Sequence, residues 1–314
     1  MAKSTVKEFQ LIERYFHGRG QARKDVRLGI GDDCALVHPA EHKSIAIHFL
    51  PDMPAQALGY KALAVNLSDL AAMGAEPAWM TLALTMPSVD ETWLEQFSAG
   101  LFEAADYYGI SLVGGDTTRG PRAINITVHG QVPEGKALTR SGARAGDWIY
   151  VTGSLGDSAL GLDIIRGELK ARAEHKEYLV NRHYHPSPRV LAGQSLRGLA
   201  SSAIDLSDGL LSDIKHILKA SAVGAVIEVD KLPLSQAMKD TVTADAALDY
   251  ALCGGEDYEL LFTVPEAQRG ALETALGHAG VKFYQVGQIL AGNQLRLQYH
   301  GEVFEPQQTG FEHF

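Results

Sequence analysis

Apolar residues at Phe9, Ile12 and Phe16 recur at helical spacing and predict a short helix ending near Gly18. Downstream, the apolar and β-branched runs Ser44 to Ile47, Trp79 to Met86, Ile110 to Val113 and Ala123 to Val132 predict strands. Two helical patterns alternate with them. One covers Ala57 to Met73, stopped by Gly74 with Pro77 just beyond; the other covers Asp90 to Tyr108, with Ser88 and Glu91 at capping-box spacing and Gly109 as its stop. In the second half, Trp148 to Thr152 predicts a strand running into Gly153-Ser154-Leu155-Gly156-Asp157 and a helix. Ser187-Pro188 offers an N-cap and first-turn proline for a helix reaching Leu199. A strand at Ala203 to Leu206, a helix at Asp208 to Ala222 and a strand at Ala225 to Val229 follow. Pro265 opens a helix that Gly280 closes, before strands at Val281 to Ile289 and Leu295 to Tyr299. The polar, glycine-bearing loop from Leu138 to Asp147 divides the pattern into residues 1–146 and 147–314, each a mixed α/β (α+β) layered unit.

Composition narrows the class. The 314 residues are 46% hydrophobic and 21% charged, which places them among folded globular chains. The formal charge is −10, and no Lys/Arg run or basic-aromatic stripe is present, so nucleic acid and anionic membrane are excluded as expected partners. Cys34 and Cys253 cannot build a disulfide framework, the first ten residues are polar, and no apolar stretch approaches the roughly 20 residues of a membrane span. A reducing, cytoplasmic setting is expected.

The acidic residues cluster. Gly31-Asp32-Asp33, Asn66-Leu67-Ser68-Asp69, Gly114-Gly115-Asp116-Thr117, Asp205-Leu206-Ser207-Asp208-Gly209 and Gly254-Gly255-Glu256-Asp257 all fall at expected strand or helix ends. Glycine beside a carboxylate lets backbone approach a ligand, and Asp with Ser or Asn supplies the hard oxygens that suit Mg²⁺. Each cluster alone equally describes a solvated turn or a helix N-cap. The helix from Leu58 to Met73 is more telling: it is almost wholly apolar, yet Asn66 and Asp69, three apart, share a face. A buried carboxylate there needs a metal or a counter-charge, from Lys61 or from an arginine elsewhere. No P-loop, dinucleotide fingerprint or nucleophile elbow is present. His183 and His185 are expected to be surface histidines, and both cysteines to act as small buried apolar groups.

Taken in order, the motif at 31–33, the stretch Tyr60 to Ala75, Val113 to Gly120, Arg140-Ser141-Gly142-Ala143, Asp205 to Gly209 and Gly254 to Glu259 resemble the thiamine-monophosphate kinase family over nearly the whole chain. That family shares its two-domain fold with aminoimidazole-ribonucleotide synthetase and selenophosphate synthetase. The resemblance implies an N-terminal domain whose strands pair across a homodimer, a C-terminal α/β domain, and ATP held with several Mg²⁺ ions in a cleft. By position it implies Asp33, Asp69, Asp116, Asp205 and Asp208 as metal ligands, and Gly115, Asp116, Arg140 and Ser207 as ATP contacts. Asp69, Asp116, Arg140 and Asp208 are the implied catalytic set, and His48, Glu256 and Phe311 lie on the implied thiamine side. The acidic excess then belongs in part to a metal-dependent phosphate site.

One departure stands out. The family carries a Ser-Thr-Asp-Thr segment before His-Phe, whereas Ser44-Ile45-Ala46-Ile47 here runs straight into His48-Phe49-Leu50-Pro51. With the flanking motifs intact, residues omitted between Ile47 and His48 are the expectation, and a Cα separation there far above about 3.8 Å is its mark. A true deletion would put metal affinity and phosphoryl transfer in doubt and would favour a non-catalytic nucleotide-binding homologue. Another ATP-dependent synthetase of the same superfamily is the competing enzyme, although the first 30 residues offer no cysteine for selenide chemistry. The expected activity is transfer of the ATP γ-phosphoryl group to thiamine monophosphate.

Overall fold

The computed structural model describes residues 26–28, 36–37, 44–46, 49–50 and 52–306. The expected helix at Phe9 to Phe16, the Ile47–His48 junction, and Cys34, Asp33, His48 and Phe311 lie outside the described residues.

The first half holds β1 (Val26–Leu28), β2 (Leu36–Val37), β3 (Ser44–Ala46), α1 (Ala55–Ala72), β4 (Glu76–Met86), α2 (Glu91–Tyr108), β5 (Ser111–Arg119) and β6 (Ala123–Gln131). The second holds β7 (Trp148–Thr152), α3 (Asp157–Arg166), α4 (Ala173–Tyr184), α5 (Val190–Ser195), β8 (Ser202–Asp205), α6 (Leu210–Ser221) and β9 (Gly224–Glu228). It continues with α7 (Gln236–Thr241), α8 (Ala244–Cys253), β10 (Leu260–Val264), α9 (Arg269–His278), β11 (Phe283–Leu290), β12 (Leu295–Tyr299) and β13 (Glu302–Val303).

In the first half a four-stranded sheet runs β3-β6-β4-β5, parallel only between β4 and β5, and one face is covered by α1 and α2. The two helices pack closely because Gly59 and Gly100 leave no side chain between them: a Cβ on Gly59 would stand 2.0 Å from the Phe97 carbonyl oxygen. Gly74, with φ of 65°, ends α1 as its sequence position implied, and Gly109, with φ of 69°, ends α2. The cap of α2 differs from expectation. The Asp90 carboxylate, and not Ser88, accepts from the Trp93 amide at 3.0 Å, which leaves Ser88 outside the helix.

The second half is a seven-stranded sheet, β13-β12-β9-β11-β7-β10-β8, with helices on both faces. Its strands alternate by side. Tyr150, Ala203, Leu260, Phe262 and Val264 face a core that also contains Leu58, Leu63, Leu67, Met80 and Phe97 of the first half. Ile149, Val151, Ile204 and Leu261 face a second core with Ile214, Ile217 and Leu252. The two halves therefore share one apolar cluster.

Other expectations shift. The helix expected from Ser187-Pro188 to Leu199 is only Val190–Ser195, with Arg189 at its N-cap and no capping side chain. Pro265 opens a 3₁₀ turn, Glu266–Gln268, before α9 begins. The strand expected to end at Val113 continues to Arg119, so Gly114-Gly115-Asp116-Thr117 lies inside β5 and not at its end. Gly115 makes this continuation possible: its φ is 150° and a Cβ would fall 1.9 Å from the Leu82 carbonyl oxygen.

Candidate functional site

Helix α1 carries the centre of the site. Fifteen of its residues are buried, and the apolar faces that bury it against both halves also carry Lys61, Asn66 and Ser68 inside. The Asn66 amide donates to the Ala62 carbonyl at 2.8 Å, while its buried Oδ1 has no hydrogen-bond partner. The Ser68 hydroxyl donates to Asp205 Oδ2 at 2.7 Å, with both residues buried. This bond sets the Asn-Leu-Ser-Asp helix against the Asp-Leu-Ser-Asp loop that follows β8. Asp69, partly exposed, borders them.

The loop before β10 extends the ladder to β8. The Glu256 amide donates to the Ser207 carbonyl at 2.8 Å, Tyr258 to Leu206 at 2.9 Å, and Leu206 to Glu259 at 2.8 Å. That path holds two side-chain-bearing residues in the left-handed region, Glu256 with φ of 66° and Tyr258 with φ of 51°. Burial pushes the Tyr258 hydroxyl well above its ordinary pKa, and the charges of Glu256, Asp205, Asp69 and Asp208 push it further. Four carboxylates from three separate segments thus act electrostatically on one phenol.

Behind the loop, Glu259 is fully buried and held by Arg189 through both oxygens at 2.6 Å, by Arg182 at 3.0 Å and by the Thr152 hydroxyl at 2.6 Å. Burial raises its pKa, but the two guanidinium groups and Thr152 outweigh that and hold the carboxyl below its usual range. Asp257 accepts from the Gly156 and Ser158 amides at the start of α3. Burial pushes its pKa up to about 8, against the lowering by Arg182 and these amides.

The structure gathers Asp69, Asp205, Ser207, Asp208 and Glu256. Gly115 and Asp116 lie elsewhere, on the exposed strand β5, where Asp116 Oδ1 accepts from the Thr117 amide at 2.9 Å. Arg140 sits in the loop before β7; its carbonyl accepts from Ser221 at 3.2 Å, and its charge, after burial, lowers the His216 pKa to about 4. Among the described residues, no group of three His, Cys, Asp or Glu side chains is close enough to hold a metal ion alone. The donor chemistry still suits Mg²⁺, since the converging carboxylates and the orphaned Asn66 oxygen are hard oxygen ligands.

The places of two residues escaped the sequence reading. The ammonium of Lys61, considered above as a counter-charge for Asp69, is 2% exposed and lies 3.2 Å from Glu256 Oε1 and 3.2 Å from His183 Nε2. His183, expected on the surface, is buried at the end of α4, because Leu179 and His183 form that helix's inward stripe. The lone lysine in an apolar helix was the available signal; no local pattern marked its partners. Cys253 is buried, as expected.

The AIR synthase related protein N-terminal domain matches residues 26–132, and the corresponding C-terminal domain matches residues 144–300. Thiamine-monophosphate kinase of Escherichia coli (strain K12) is 56% identical over 318 aligned positions, covering 98% of each chain. Those 318 positions exceed the 314 residues here, so the relative has positions without a counterpart in this chain. The crystal structure of thiamine-monophosphate kinase from Stenotrophomonas maltophilia K279a is 43% identical, with a TM-score of 0.77 over 95% of this chain and 98% of that one. AaThiL complexed with AMPPCP and TMP is 28% identical, with a TM-score of 0.82 over 100% of this chain and 99% of that one. With its two-part fold, its converging acidic loops and this full-length similarity, the chain belongs to the thiamine-monophosphate kinase family of AIR synthase related proteins.

Proposed function

We propose that the protein transfers the γ-phosphoryl group of ATP directly to the phosphate of thiamine monophosphate, giving thiamine diphosphate and ADP. The observation that carries this reading is the Ser68–Asp205 hydrogen bond, which joins the two acidic motifs into one wall beside Asp69, Asp208 and Glu256. The solved relative with AMPPCP and TMP supports the choice of substrates. In the transfer, a bond forms between an acceptor phosphate oxygen and the γ-phosphorus as the bond from that phosphorus to the β-bridging oxygen breaks. The acceptor is already anionic near neutral pH, since a phosphate monoester has its second pKa near about 6, so no general base is required.

The chain must then orient two polyanions and lower their repulsion. Asp69, Asp205 and Asp208, joined by Asp33 and Asp116, are the residues assigned to hold Mg²⁺. Mg²⁺ held by these carboxylates would supply the positive charge that offsets repulsion between the two phosphate groups. Gly115, Asp116, Arg140 and Ser207 are assigned to ATP, with Arg140 supplying positive charge. Glu256, His48 and Phe311 are assigned to the thiamine side. The domains are taken as 1–146, binding ATP and Mg²⁺ and forming the dimer, and 147–314, closing the cleft.

The homodimer is supported by β5. It is an edge strand, all nine of its residues are exposed, and Leu112, Val113 and the neighbouring Trp79 present apolar surface on it. A second copy pairing there would cover both strand edge and side chains. A cytoplasmic setting agrees with Cys253, which is buried and outside any disulfide; among the described residues no helix is long and apolar enough to cross a membrane. Incubation with ATP, Mg²⁺ and thiamine monophosphate tests the activity: thiamine diphosphate is the expected product, and nucleotide binding without product would overturn the reading. Chelating Mg²⁺ is expected to abolish ATP binding, and metal-indifferent binding would contradict the metal assignment.

A further inference from the structure

Lys61 is among the largest fully buried side chains in the described structure and the one charged group of that set, and its ammonium is placed to act on one loop. Burial lowers its pKa, and the Glu256 carboxylate offsets that only in part. Replacing a buried ion pair with apolar side chains is often neutral or favourable to stability, so a lysine here must be accounted for by what it orients. Its target is one of the two residues of that loop held in the left-handed region. Glu256 stands at φ of 66° with Oε1 on Lys61, while its side chain remains 31% exposed. One oxygen is anchored as the carboxylate keeps access to the site.

His183 completes the clamp. A lysine ammonium only donates, so Nε2 facing it at 3.2 Å is the acceptor and the ring proton sits on Nδ1. That nitrogen lies 3.2 Å from Ser158 Oγ and 3.5 Å from Glu256 Oε2. Burial and the Lys61 charge lower the His183 pKa to about 4, which keeps the ring neutral and preserves this pattern near neutral pH. The elements involved are α1 of the first half, α4 of the second and the Gly-Gly-Glu-Asp loop.

We propose that Lys61 is a positioning residue for the thiamine side of the site: with neutral His183 it fixes the Glu256 carboxylate as an oriented hydrogen-bond acceptor for thiamine monophosphate. This rests on the assignment of Glu256 to that substrate. Because the Lys61–Glu256 pair is electrically neutral, Glu256 reaches the substrate as a directed acceptor and not as a bare counter-charge. Loss of Lys61 should therefore weaken recognition of one substrate and leave the other alone.

The test is steady-state kinetics of Lys61→Met, Glu256→Gln and the double variant, with Lys61→Gln as a second replacement should Lys61→Met fail to fold by circular dichroism. Each Lys61 variant is expected to raise KM for thiamine monophosphate about tenfold or more, as loss of a charge-assisted hydrogen bond implies, with KM for ATP unchanged. The double variant should be no worse than Glu256→Gln alone. The proposal is overturned if Glu256→Gln raises that KM while the Lys61 variants do not, if both KM values rise together, or if the single effects multiply in the double variant. Turnover by Glu256→Gln with wild-type KM would remove Glu256 from the substrate side and this proposal with it. Absence of thiamine diphosphate from the unaltered protein would remove the kinase reading itself.

Discussion

Helix α1 and strand β5 carry comparable motifs in opposite surroundings. On α1, Lys61, Asn66 and Ser68 are buried, and Lys61 and Ser68 are bonded to residues of the other half of the same chain. On β5, Gly114, Gly115 and Asp116 are exposed, along an edge that only β4 pairs among the described residues. One acidic motif is oriented by its own fold, whereas the other lies on a surface that a second copy of the chain would cover. The contrast teaches that motif spacing alone does not say whether a site is complete within one subunit.

The comparison breaks most visibly at Asp69. Asp69→Asn should lower turnover by about a thousandfold or more while leaving the circular dichroism spectrum unchanged, because the proposed metal ligand loses its charge. Full turnover would remove Asp69 from the metal ligands. Next in size is Glu259→Gln, which leaves Arg182 and Arg189 without their buried counter-charge and should cost about 3 kcal/mol in urea unfolding. An unchanged midpoint would show that the loop is not anchored from behind.

His183 gives a pH signature to the same region. With a folded pKa of about 4 against about 6.5 unfolded, the unfolded chain binds a proton that the folded chain refuses between those values. Stability should fall as pH drops through that window, by about 2 kcal/mol at pH 5, and His183→Asn should flatten the decline in thermal scans. The smallest effect belongs to β5. Val113→Lys places a charge on the exposed edge, counted twice across a two-fold axis, and should weaken self-association about tenfold in sedimentation with monomer stability unchanged. An unaltered dimer would move the interface elsewhere.

Much of the fold was legible where periodicity and punctuation agreed. The apolar run of α1 with Gly74, and the strands Trp148–Thr152 and Leu295–Tyr299, appear as their side chains imply. Helix α4 escaped because only Leu179 and His183 of its residues are buried, too narrow a stripe against a polar background. Strand β5 was cut short because its glycines look like a turn; the reason for Gly115, its close approach to Leu82, is a tertiary contact. The residue types of the site could be read directly at Asp69, Asp205 and Glu256. Their meeting at Tyr258, and the bonds from Lys61 to His183 and Glu256, join distant segments and leave no trace in local spacing.

The apolar cluster shared by the two halves has a mechanical consequence. Leu58, Leu63 and Phe97 pack in one body with Tyr150, Leu260 and Phe262, and the Ser68–Asp205 and Lys61–Glu256 contacts bolt the site's walls across the same boundary. A hinge between the halves would tear that core and strand buried polar groups. The two halves are therefore expected to move as one body, and any rearrangement on substrate binding falls to the loops.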